Sequence, residues 1–356
     1  MAYVAVTGGQ EAIEEAEKLV KSYRLTNSEF PLDPSHIQKQ MRLLIDRVMS
    51  EAGMYSPSLA ALALKQGEGD TFEAVFLLRA YRSTLERNHY SEPVDTNGMR
   101  VIRRISSSFK DVPGGQVLGP TYDYTHRLLN FDLTNEQIED FLHDDIDPTE
   151  WENEEAIFQK VIDILRNEEL VEKTSSSTSK EPFDITRDNM SFPAPRSARL
   201  QTLARGETGA MMALAYSSMR GFGAVHPTIA ELRVGYVPVY IPHPFQPGEK
   251  VYAGEVLVTE VETINRFEEN KSTGNVEFTL GYGFCFGQNE LKAISMAILD
   301  RSITDGGSSP AEQEEFVLTH IDSVEANGFV SHLKLPHYVT FQSALDRIRN
   351  AKDEDE

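Results

Sequence analysis

The sequence predicts an α+β fold with a helical N-terminal half and a mixed, strand-rich C-terminal half. Amphipathic helical patterns with capping residues occupy the chain up to about Arg87. Segments rich in Val, Tyr and Phe follow one another between Leu232 and Phe286. Helices that are separated along the chain from several consecutive strands are typical of the α+β class.

The N-terminal half is predicted to be helical from its start and stop signals. Asp33-Pro34 and Ser56-Pro57 each place a proline at the first helical position, and Asp70 with Glu73 resembles a capping box. The predicted helices are Gln10 to Tyr23, with Ile13, Ala16, Leu19 and Val20 on one side, Asp33 to Gly53, Ser56 to Gly67, and Asp70 to Arg87.

The middle of the chain combines a strand with a glycine-rich loop. Alternating apolar and polar residues predict a strand from Met99 to Ile105. The loop from Pro113 to Pro120 is rich in glycine, but it matches neither the P-loop nor the dinucleotide-binding fingerprint. Two more helices are predicted near Asn135 to Asp144 and Glu152 to Asn167.

The C-terminal half contains the remaining predicted elements. They are a helix from Glu207 to Met219, strands at Leu232 to Ile241, Lys250 to Ile264 and Val276 to Phe286, a helix from Asn289 to Arg301, and a final helix to about Asn350. The segment Phe329 to Val339 alternates in polarity, and Pro336 obstructs a helix there. It is therefore predicted to be a strand that runs into a turn.

A polar run suggests where the chain divides. Thr174 to Lys180 consists almost entirely of Ser and Thr, so it cannot contribute to a core and is expected to be a flexible linker. It separates a helix-rich region, residues 1–173, from an α+β region, residues 181–350. Residues 351–356 are expected to form a disordered acidic tail.

Composition excludes several classes of function. The formal net charge of −22 argues against a general nucleic-acid binder, because the chain repels the phosphate backbone. There is no signal peptide and no run of eighteen apolar residues, so a cytoplasmic protein without membrane association is expected. A single cysteine, Cys285, excludes an internal disulfide and cysteine-only metal sites, and it is expected to be a small buried hydrophobic residue.

His332 and His337 are the candidate metal ligands. Imidazole is the commonest transition-metal ligand, and a turn after a strand can direct both rings to one point. Two histidines alone make a weak motif, so two structural histidines with satisfied hydrogen bonds are the alternative. The candidates for a third ligand are His320, His126, Glu314 and Glu315, or a residue of another chain.

A basic cluster is the candidate anion site. It comprises Arg79, Arg82, Arg87, Arg100, Arg103, Arg104 and Lys110. Of these, Arg79, Arg82, Arg103 and Arg104 are the predicted nucleotide-binding residues. The alternative is structural: Arg79 and Arg82 would lie on one helix face, and Arg103 and Arg104 on opposite faces of a strand.

Asp123 and His126 are the candidate catalytic residues. They belong to a run of polar, reactive groups, Tyr122 to His126, that directly follows the glycine-rich loop. A tight turn with satisfied hydrogen bonds would also explain Asp123.

Several long segments, in the same order along the chain, resemble the PhnI family, a subunit family of the bacterial carbon–phosphorus lyase core complex. They are Met1–Gly9, Leu62–Gln66, Glu73–Arg82, Pro113–Gln116, Gly119–Leu129, Gly281–Gly287 and Glu314–Gln342. The stretch from about Asn130 to Lys180 matches poorly. This resemblance implies self-association and partners of the same complex, PhnG, PhnH, PhnJ, and PhnL or PhnK.

The resemblance also implies an activity. It is the transfer of ribose 5-triphosphate from ATP to methylphosphonate with release of adenine, and a nucleosidase activity on ATP or GTP for the subunit alone. His332 and His337 are implied to bind a metal, zinc, at a face shared with the partner that performs radical chemistry. Radical cleavage of the carbon–phosphorus bond requires a cluster with three cysteine ligands, so this chain, which has one, cannot perform that step.

Two other hypotheses remain open. One is a scaffold on which catalytic partners assemble, since the chain has no complete catalytic motif. The other is an independent metal-dependent hydrolase that uses the histidines and nearby acidic residues.

Overall fold

The computed structural model describes residues 9–26, 28–138, 158–173, 181–223, 226–269 and 274–353. Within these ranges it contains 12 α-helices and one four-stranded antiparallel sheet, so the predicted α+β class is confirmed. The helices are α1 Gln10–Leu25, α2 Pro34–Gln40, α3 Arg42–Ala52, α4 Pro57–Gln66, α5 Thr71–Ser83, α6 Ile162–Asn167, α7 Arg196–Arg205, α8 Thr208–Ser217, α9 Glu290–Asp305, α10 Glu314–His320, α11 Ser323–Ser331 and α12 Tyr338–Asp353. The strands are β1 Arg100–Ile105, β2 Thr228–Pro242, β3 Lys250–Glu269 and β4 Val276–Phe286.

The sheet is a meander in the order β1-β2-β3-β4, so neighbouring strands are also consecutive in the chain. β1 pairs antiparallel with β2 and thereby joins the first half of the chain to the second. The predicted linker, residues 174–180, lies outside the described residues, so the division into two regions stays a prediction. None of the described helices is long and apolar enough to cross a membrane.

α9 packs against one face of the sheet at close range. Gly281 and Gly283 of β4 make this possible, because a Cβ at either position would clash with a carbonyl oxygen of α9, that of Ala297 or Ala293. The apolar residues of this interface are Leu232, Val234, Val261, Cys285, Ala293 and Ala297. Cys285 is buried, as predicted, and burial raises the pKa of its thiol to about 11.

The opposite face of the sheet buries charges. Arg233 and Glu260 alternate along their strands with residues that face α9, so they point the other way. Glu260 accepts hydrogen bonds from Lys160 Nζ (2.8 Å), Tyr282 Oη (3.0 Å) and Thr96 Oγ1 (2.8 Å), and it pairs with Arg233. Burial alone would raise the pKa of Glu260, but Arg233 and Lys160 outweigh it and lower the pKa to about 2.

Two small clusters, around Met99 and around Ile162, flank the sheet, and two larger cores lie among the helices. The first lies among α2 to α5 and includes Ile45, Val48, Met49, Leu64, Val75 and Leu78. The second lies among α7 to α10 and includes Leu203, Met211, Met296, Leu299, Val317 and Leu318. α1 belongs to neither core, since none of its residues is buried.

Most element predictions are confirmed, with shifted ends, and four differ. The predicted helix from Asp33 to Gly53 is two helices, because the backbone leaves the helical region at Met41 (φ −119°, ψ 44°). In the predicted helix near Asn135 to Asp144, Asn135 ends a 3₁₀ turn that begins at Phe131, residues 136 and 137 are not helical, and residues 139–144 lie outside the described residues. In the predicted helix from Glu152 to Asn167, residues 152–157 also lie outside the described residues, and the described helix is the shorter α6.

The predicted strand from Phe329 to Val339 is wrong. This segment is the end of α11, a 3₁₀ turn at His332–Lys334, and the start of α12. Asp322 Oδ1 accepts from the amides of Val324 and Glu325, and this N-cap starts a helix that continues through the alternating pattern. Phe329 is 75% exposed, so the alternation of apolar and polar residues in this segment does not mark a strand with one buried face.

We predict that Glu260→Gln destabilises the protein by about 3–5 kcal/mol at pH 7, because it leaves Arg233 and Lys160 buried without their counter-charge. The pKa of Glu260 is lowered from 4.5 to about 2, so its contribution is complete above the unfolded value and is lost as the pH falls towards the folded value. The difference in unfolding free energy between the native protein and the variant should therefore shrink below pH 4.5, by roughly 1.4 kcal/mol per pH unit. Urea denaturation at several pH values measures it, and a difference that is independent of pH would contradict the assignment.

Candidate functional site

His332 and His337 lie side by side where α11 gives way to α12. His332 begins the 3₁₀ turn that continues α11, and His337 follows Pro336 and directly precedes α12. Their ring centroids are 5.5 Å apart, with the planes inclined at 56°. The two rings therefore lie close together, as the sequence led us to expect. The backbone that brings them together is a 3₁₀ turn followed by a helix, not the predicted strand and turn.

Backbone carbonyls fix the orientation of both imidazoles. Nδ1 of His332 bonds the carbonyl oxygen of Phe329, and Nδ1 of His337 bonds that of Leu335 at 2.6 Å. A carbonyl oxygen only accepts, so each Nδ1 carries the hydrogen and each neutral ring keeps its Nε2 lone pair. Histidine ligands of metals in proteins are commonly oriented in this way. Both residues are in contact with solvent.

The pair is suited to a metal ion but is incomplete within the chain. Two imidazoles on one tetrahedral zinc ion have centroids roughly 5 Å apart, because each Zn–N bond is about 2.0–2.1 Å. Among the described residues, no group of three or more His, Cys, Asp or Glu side chains is placed to hold a metal. The third-ligand candidates of this chain therefore do not gather at the pair. His320 stacks on Phe316 and bonds its carbonyl oxygen, and Glu314 binds the amide of Ala194.

Arg79 ties the N-terminal helices to the helix that leads to the histidines. It donates to the carbonyl oxygen of Glu51 at the end of α3 (2.6 and 3.1 Å) and to that of Arg205 at the end of α7 (3.2 Å). It also pairs with Asp322, the N-cap of α11, at 2.5 Å. Burial would raise the pKa of Asp322, but the Arg79 guanidinium, the Glu325 amide and the charge of Arg205 together outweigh it and lower the pKa.

Arg82 lies one turn along α5 and caps the same end of α3. Its Nη1 donates to the carbonyl oxygens of Ala52 (3.1 Å) and Gly53 (3.0 Å). Cations are favourable at this end of a helix, where the carbonyl groups have no intrahelical partner. As predicted, Arg79 and Arg82 share one face of a helix.

Arg103 and Arg104 point to opposite faces of β1, and both are fully buried. Arg103 pairs with Asp123 at 2.5 Å and Glu290 at 2.9 Å. Arg104 pairs with Glu231 at 2.5 Å and donates to the carbonyl oxygens of Pro113 and Gly115. The two guanidinium groups thus hold the glycine-rich loop and the segment after it against the sheet.

The four predicted nucleotide-binding arginines therefore make separate sets of contacts. Arg79 and Arg82 bond the end of α3, and neither shares a hydrogen-bond partner with Arg103 or Arg104. Arg103 and Arg104 have internal acidic partners, whereas Arg82 bonds only neutral carbonyl groups among the described residues. Nucleotide binding by these residues stays a prediction.

The two candidate catalytic residues differ in how firmly they are held. Asp123 is fixed through Oδ2 by Arg103, its Oδ1 lies 3.4 Å from Nη2 of Arg127, and its side chain is half-exposed. His126 is exposed and makes no hydrogen bond with the described residues. The catalytic roles of both residues stay predictions.

Sequence inspection missed two residues near these candidates. Arg205 lies beside Arg79 and Arg82, and Glu290 binds Arg103, but both come from distant parts of the chain. Neither belongs to a local motif, so no periodicity or capping pattern indicates them.

Comparisons with known proteins agree with one another. The family model described as "Bacterial phosphonate metabolism protein (PhnI)" matches residues 2–355, a range that includes the poorly matching stretch noted in the sequence. The chain is 54% identical over 365 residues to the "Putative C-P lyase subunit protein HtxH" of Stutzerimonas stutzeri, covering 99% of this chain and 96% of the relative. It is 47% identical over 358 residues to the "Alpha-D-ribose 1-methylphosphonate 5-triphosphate synthase subunit PhnI" of Escherichia coli (strain K12), covering 99% of each chain. The protein of the same name from Rhizobium meliloti (strain 1021) is 46% identical over 359 residues, covering 99% of this chain and 95% of the relative.

We predict that Arg79→Met lowers the free energy of unfolding by about 2–3 kcal/mol, because it removes charge-assisted bonds to Asp322 and to two helix ends. Denaturant unfolding measures the change. Arg266→Met is the control, since Arg266 is half-exposed, pairs with Glu268 and lies 3.6 Å from Asp305, which Arg301 already binds, so it should contribute at most about 0.5 kcal/mol. Equal stability of the Arg79 variant and the control variant would show that the contacts of Arg79 with Asp322 and the two helix ends do not stabilise the protein.

Proposed function

The chain belongs to the PhnI family of bacterial phosphonate metabolism proteins, and on this premise we propose that it is a subunit of an α-D-ribose 1-methylphosphonate 5-triphosphate synthase. This complex would transfer ribose 5-triphosphate from ATP to methylphosphonate and release adenine. The observation that supports the proposal most is the match over residues 2–355 together with 46–47% identity to two proteins that bear the synthase name.

The proposed reaction exchanges one bond at the anomeric carbon of ribose for another. The bond from C1′ to the purine nitrogen breaks, its electron pair leaves with adenine, and adenine takes up a proton. A phosphonate oxygen forms the new bond to C1′ from the opposite face, which converts a β nucleotide into an α product. Positive charge develops on the sugar meanwhile, so a nearby carboxylate and a general acid both accelerate the step.

Asp123 and His126 are the residues that we propose for these two roles. Arg103 holds Asp123 at 2.5 Å, and the half-exposed carboxylate, whose other oxygen lies 3.4 Å from the exposed Arg127, can stabilise a cationic sugar. His126 is exposed and has no protein partner among the described residues, so its ring is free to donate a proton to the departing base. For the triphosphate we propose Arg79, Arg82, Arg103 and Arg104, of which Arg82 has no acidic hydrogen-bond partner in the described part of the chain.

We propose that His332 and His337 hold a zinc ion through their Nε2 atoms. The ring separation of 5.5 Å and the two carbonyl-bound Nδ1 atoms support this role. Zinc bound there would supply a positive charge for phosphoryl oxygens. The remaining ligands would come from the nucleotide or from a partner subunit, since the described residues of this chain provide only the pair.

The proposed partners are the other core subunits of the complex, PhnG, PhnH, PhnJ, and PhnL or PhnK, together with a second copy of this chain. Cleavage of the carbon–phosphorus bond belongs to a different subunit, because this chain has a single, buried cysteine. In isolation we propose that the chain cleaves ATP or GTP as a nucleosidase, with water in place of the phosphonate oxygen.

A scaffold function is the second candidate, and one observation favours it. Large apolar side chains are exposed on elements that belong to no core. They include three residues of α1 (Leu19, Val20 and Tyr23), three in the segment 128–131 (Leu128, Leu129 and Phe131), and three of α12 (Val339, Phe341 and Ile348). Exposed apolar surface of this kind marks interaction sites. A scaffold would need these surfaces but neither Asp123 nor the histidine pair.

We predict that the purified chain releases adenine from ATP, as identified by chromatography of the products. Asp123→Asn should reduce the rate at least about a hundredfold, because the carboxylate charge is lost while its shape is kept. Asp111→Asn, which changes an exposed carboxylate without a described hydrogen bond, should leave the rate unchanged. Release of phosphate alone would contradict the proposed bond cleavage, and an unchanged rate in the Asp123 variant would exclude Asp123 from it.

We also predict that the chain binds zinc and that His332→Ala and His337→Ala each weaken this binding. Loss of a partner that merely orients a ligand typically costs about 10–100-fold in affinity, and loss of a ligand should cost at least as much. Competition with a chromophoric chelator measures the affinity. His320→Ala is the matched control, because His320 also bonds a backbone carbonyl through Nδ1 but has no second imidazole beside it. Equal zinc affinity in all variants would refute the site.

A further inference from the structure

Arg82 and Arg205 meet at the C-terminal end of α3. Gly53 follows the last residue of α3, and a Cβ at this position would lie 2.9 Å from Arg82 Nη1 and 3.3 Å from Arg205 Cγ and Cδ. The two side chains, one from α5 and one from the end of α7, therefore flank the same point. Arg79 also reaches this point, since it bonds the carbonyl oxygens of Glu51 and Arg205.

The acidic residues nearby are already engaged. Asp322 binds Arg79 at 2.5 Å, and Asp184 binds Arg87 and also accepts from Thr186. A further arginine, Arg187, lies 3.9 Å from Asp184. Two carboxylates, Asp322 and Asp184, are thus shared by five guanidinium groups, those of Arg79, Arg82, Arg87, Arg187 and Arg205. Both carboxylates have closer partners than Arg82 and Arg205.

Neither Arg82 nor Arg205 has a carboxylate of the described residues within hydrogen-bond reach, although Asp184 acts on both, and Asp322 on Arg205, over a longer distance. Arg82 donates to two carbonyl oxygens, and its other nitrogen atoms make no hydrogen bond with the described residues. The guanidinium group of Arg205 makes no hydrogen bond at all with the described part of the chain, and its Nε is buried. Burial and the nearby Arg79 and Arg82 lower the pKa of Arg205 to about 10, so it stays charged at neutral pH despite this surrounding.

This local arrangement runs against the composition of the chain. The chain has 56 acidic and 34 basic residues, so carboxylates are not scarce, yet none of the described ones bonds Arg82 or Arg205. Partly buried like charges repel each other, and a cluster of them with fewer carboxylates than guanidinium groups is typical of a site that binds an anion. The planar guanidinium group suits the paired oxygen atoms of a phosphoryl group in particular.

We propose that Arg82 and Arg205, with Arg79 beside them, form a binding site for a phosphoryl group of the phosphate or phosphonate type. Gly53 has no Cβ, which would lie between the two arginines and only 2.9 Å from Arg82 Nη1, so a larger residue there would displace the Arg82 side chain. The site adds Arg205 to the predicted nucleotide-binding arginines. It rests on the proposed function in one respect only, the identity of the molecule that carries the phosphoryl group.

Isothermal titration calorimetry of the full chain tests the site, with tripolyphosphate, inorganic phosphate and methylphosphonate as separate probes. Arg205→Met should weaken binding of the preferred probe at least about tenfold, because one charge-assisted contact is lost. Arg266→Met removes a paired surface arginine and should leave the affinity unchanged. Preference for tripolyphosphate would identify a nucleotide tail as the ligand, and preference for methylphosphonate would identify the acceptor. Absence of binding by all three probes, or equal affinities of the native chain and the Arg205 variant, would overturn the proposal.

A measurement on the native chain does not depend on how the variant folds. Arginine-selective modification with phenylglyoxal, mapped by mass spectrometry, should show that tripolyphosphate protects Arg82 and Arg205 but not Arg266. Equal modification of Arg205 with and without the anion would overturn the proposal.

A separate assay of adenine release distinguishes this proposal from the proposed function. Anion binding without adenine release would refute the nucleosidase activity and leave the binding site intact. Adenine release by a chain whose anion affinity is the same in the Arg205 variant would refute the binding site alone.

Discussion

The contact between Arg79 and Asp322 is the interaction on which the arrangement of the candidate site depends. It joins residues that are 243 positions apart in the chain, at 2.5 Å. The same guanidinium group satisfies the carbonyl oxygens of Glu51 and Arg205, where two other helices end. Asp322 in turn starts α11 by accepting from two of its first amides, and α11 leads directly to His332. One side chain thus connects the N-terminal helices with the segment that carries the imidazole pair.

Electrostatic compensation separates the structural arginines from the candidate binding arginines. Arg103, Arg104 and Arg233 are fully buried and each has a carboxylate partner, as a buried charge requires. They hold the sheet, the glycine-rich loop and Asp123 in place. Among the described residues, Arg82 and Arg205 lack such a partner, and they lie beside Arg79 at the C-terminal end of α3. An anionic ligand there would bind beside the residue that positions α11, so ligand binding and the position of the histidines would share one structural element.

Local chemistry in the sequence predicted most of the fold. Asp33 and Asp70 cap their helices through side-chain oxygens, as their positions before Pro34 and Glu73 indicated. Strand alternation correctly placed Arg103 and Arg104 on opposite faces of β1. The segment around His332 was wrongly predicted to be a strand, because its apolar residues alternate with polar ones but are exposed and do not form a buried face. The partners of Arg79, Arg205 and Glu260 could not be predicted, because each contact joins elements that only the tertiary fold brings together. The family resemblance suggested the metal-binding role that we propose for the histidine pair, and the structure adds the orientation of the two rings.

The most direct test of this account is hydrogen–deuterium exchange of α11 in the Arg79→Met variant under native conditions. If Arg79 holds the N-cap of α11 in place, the amides of Val324 and Glu325, which donate to Asp322, should exchange faster in the Arg79 variant than in the native protein and in the Arg266→Met control variant. Unchanged protection of α11 would show that this helix is positioned without Arg79, and the central claim would then be wrong.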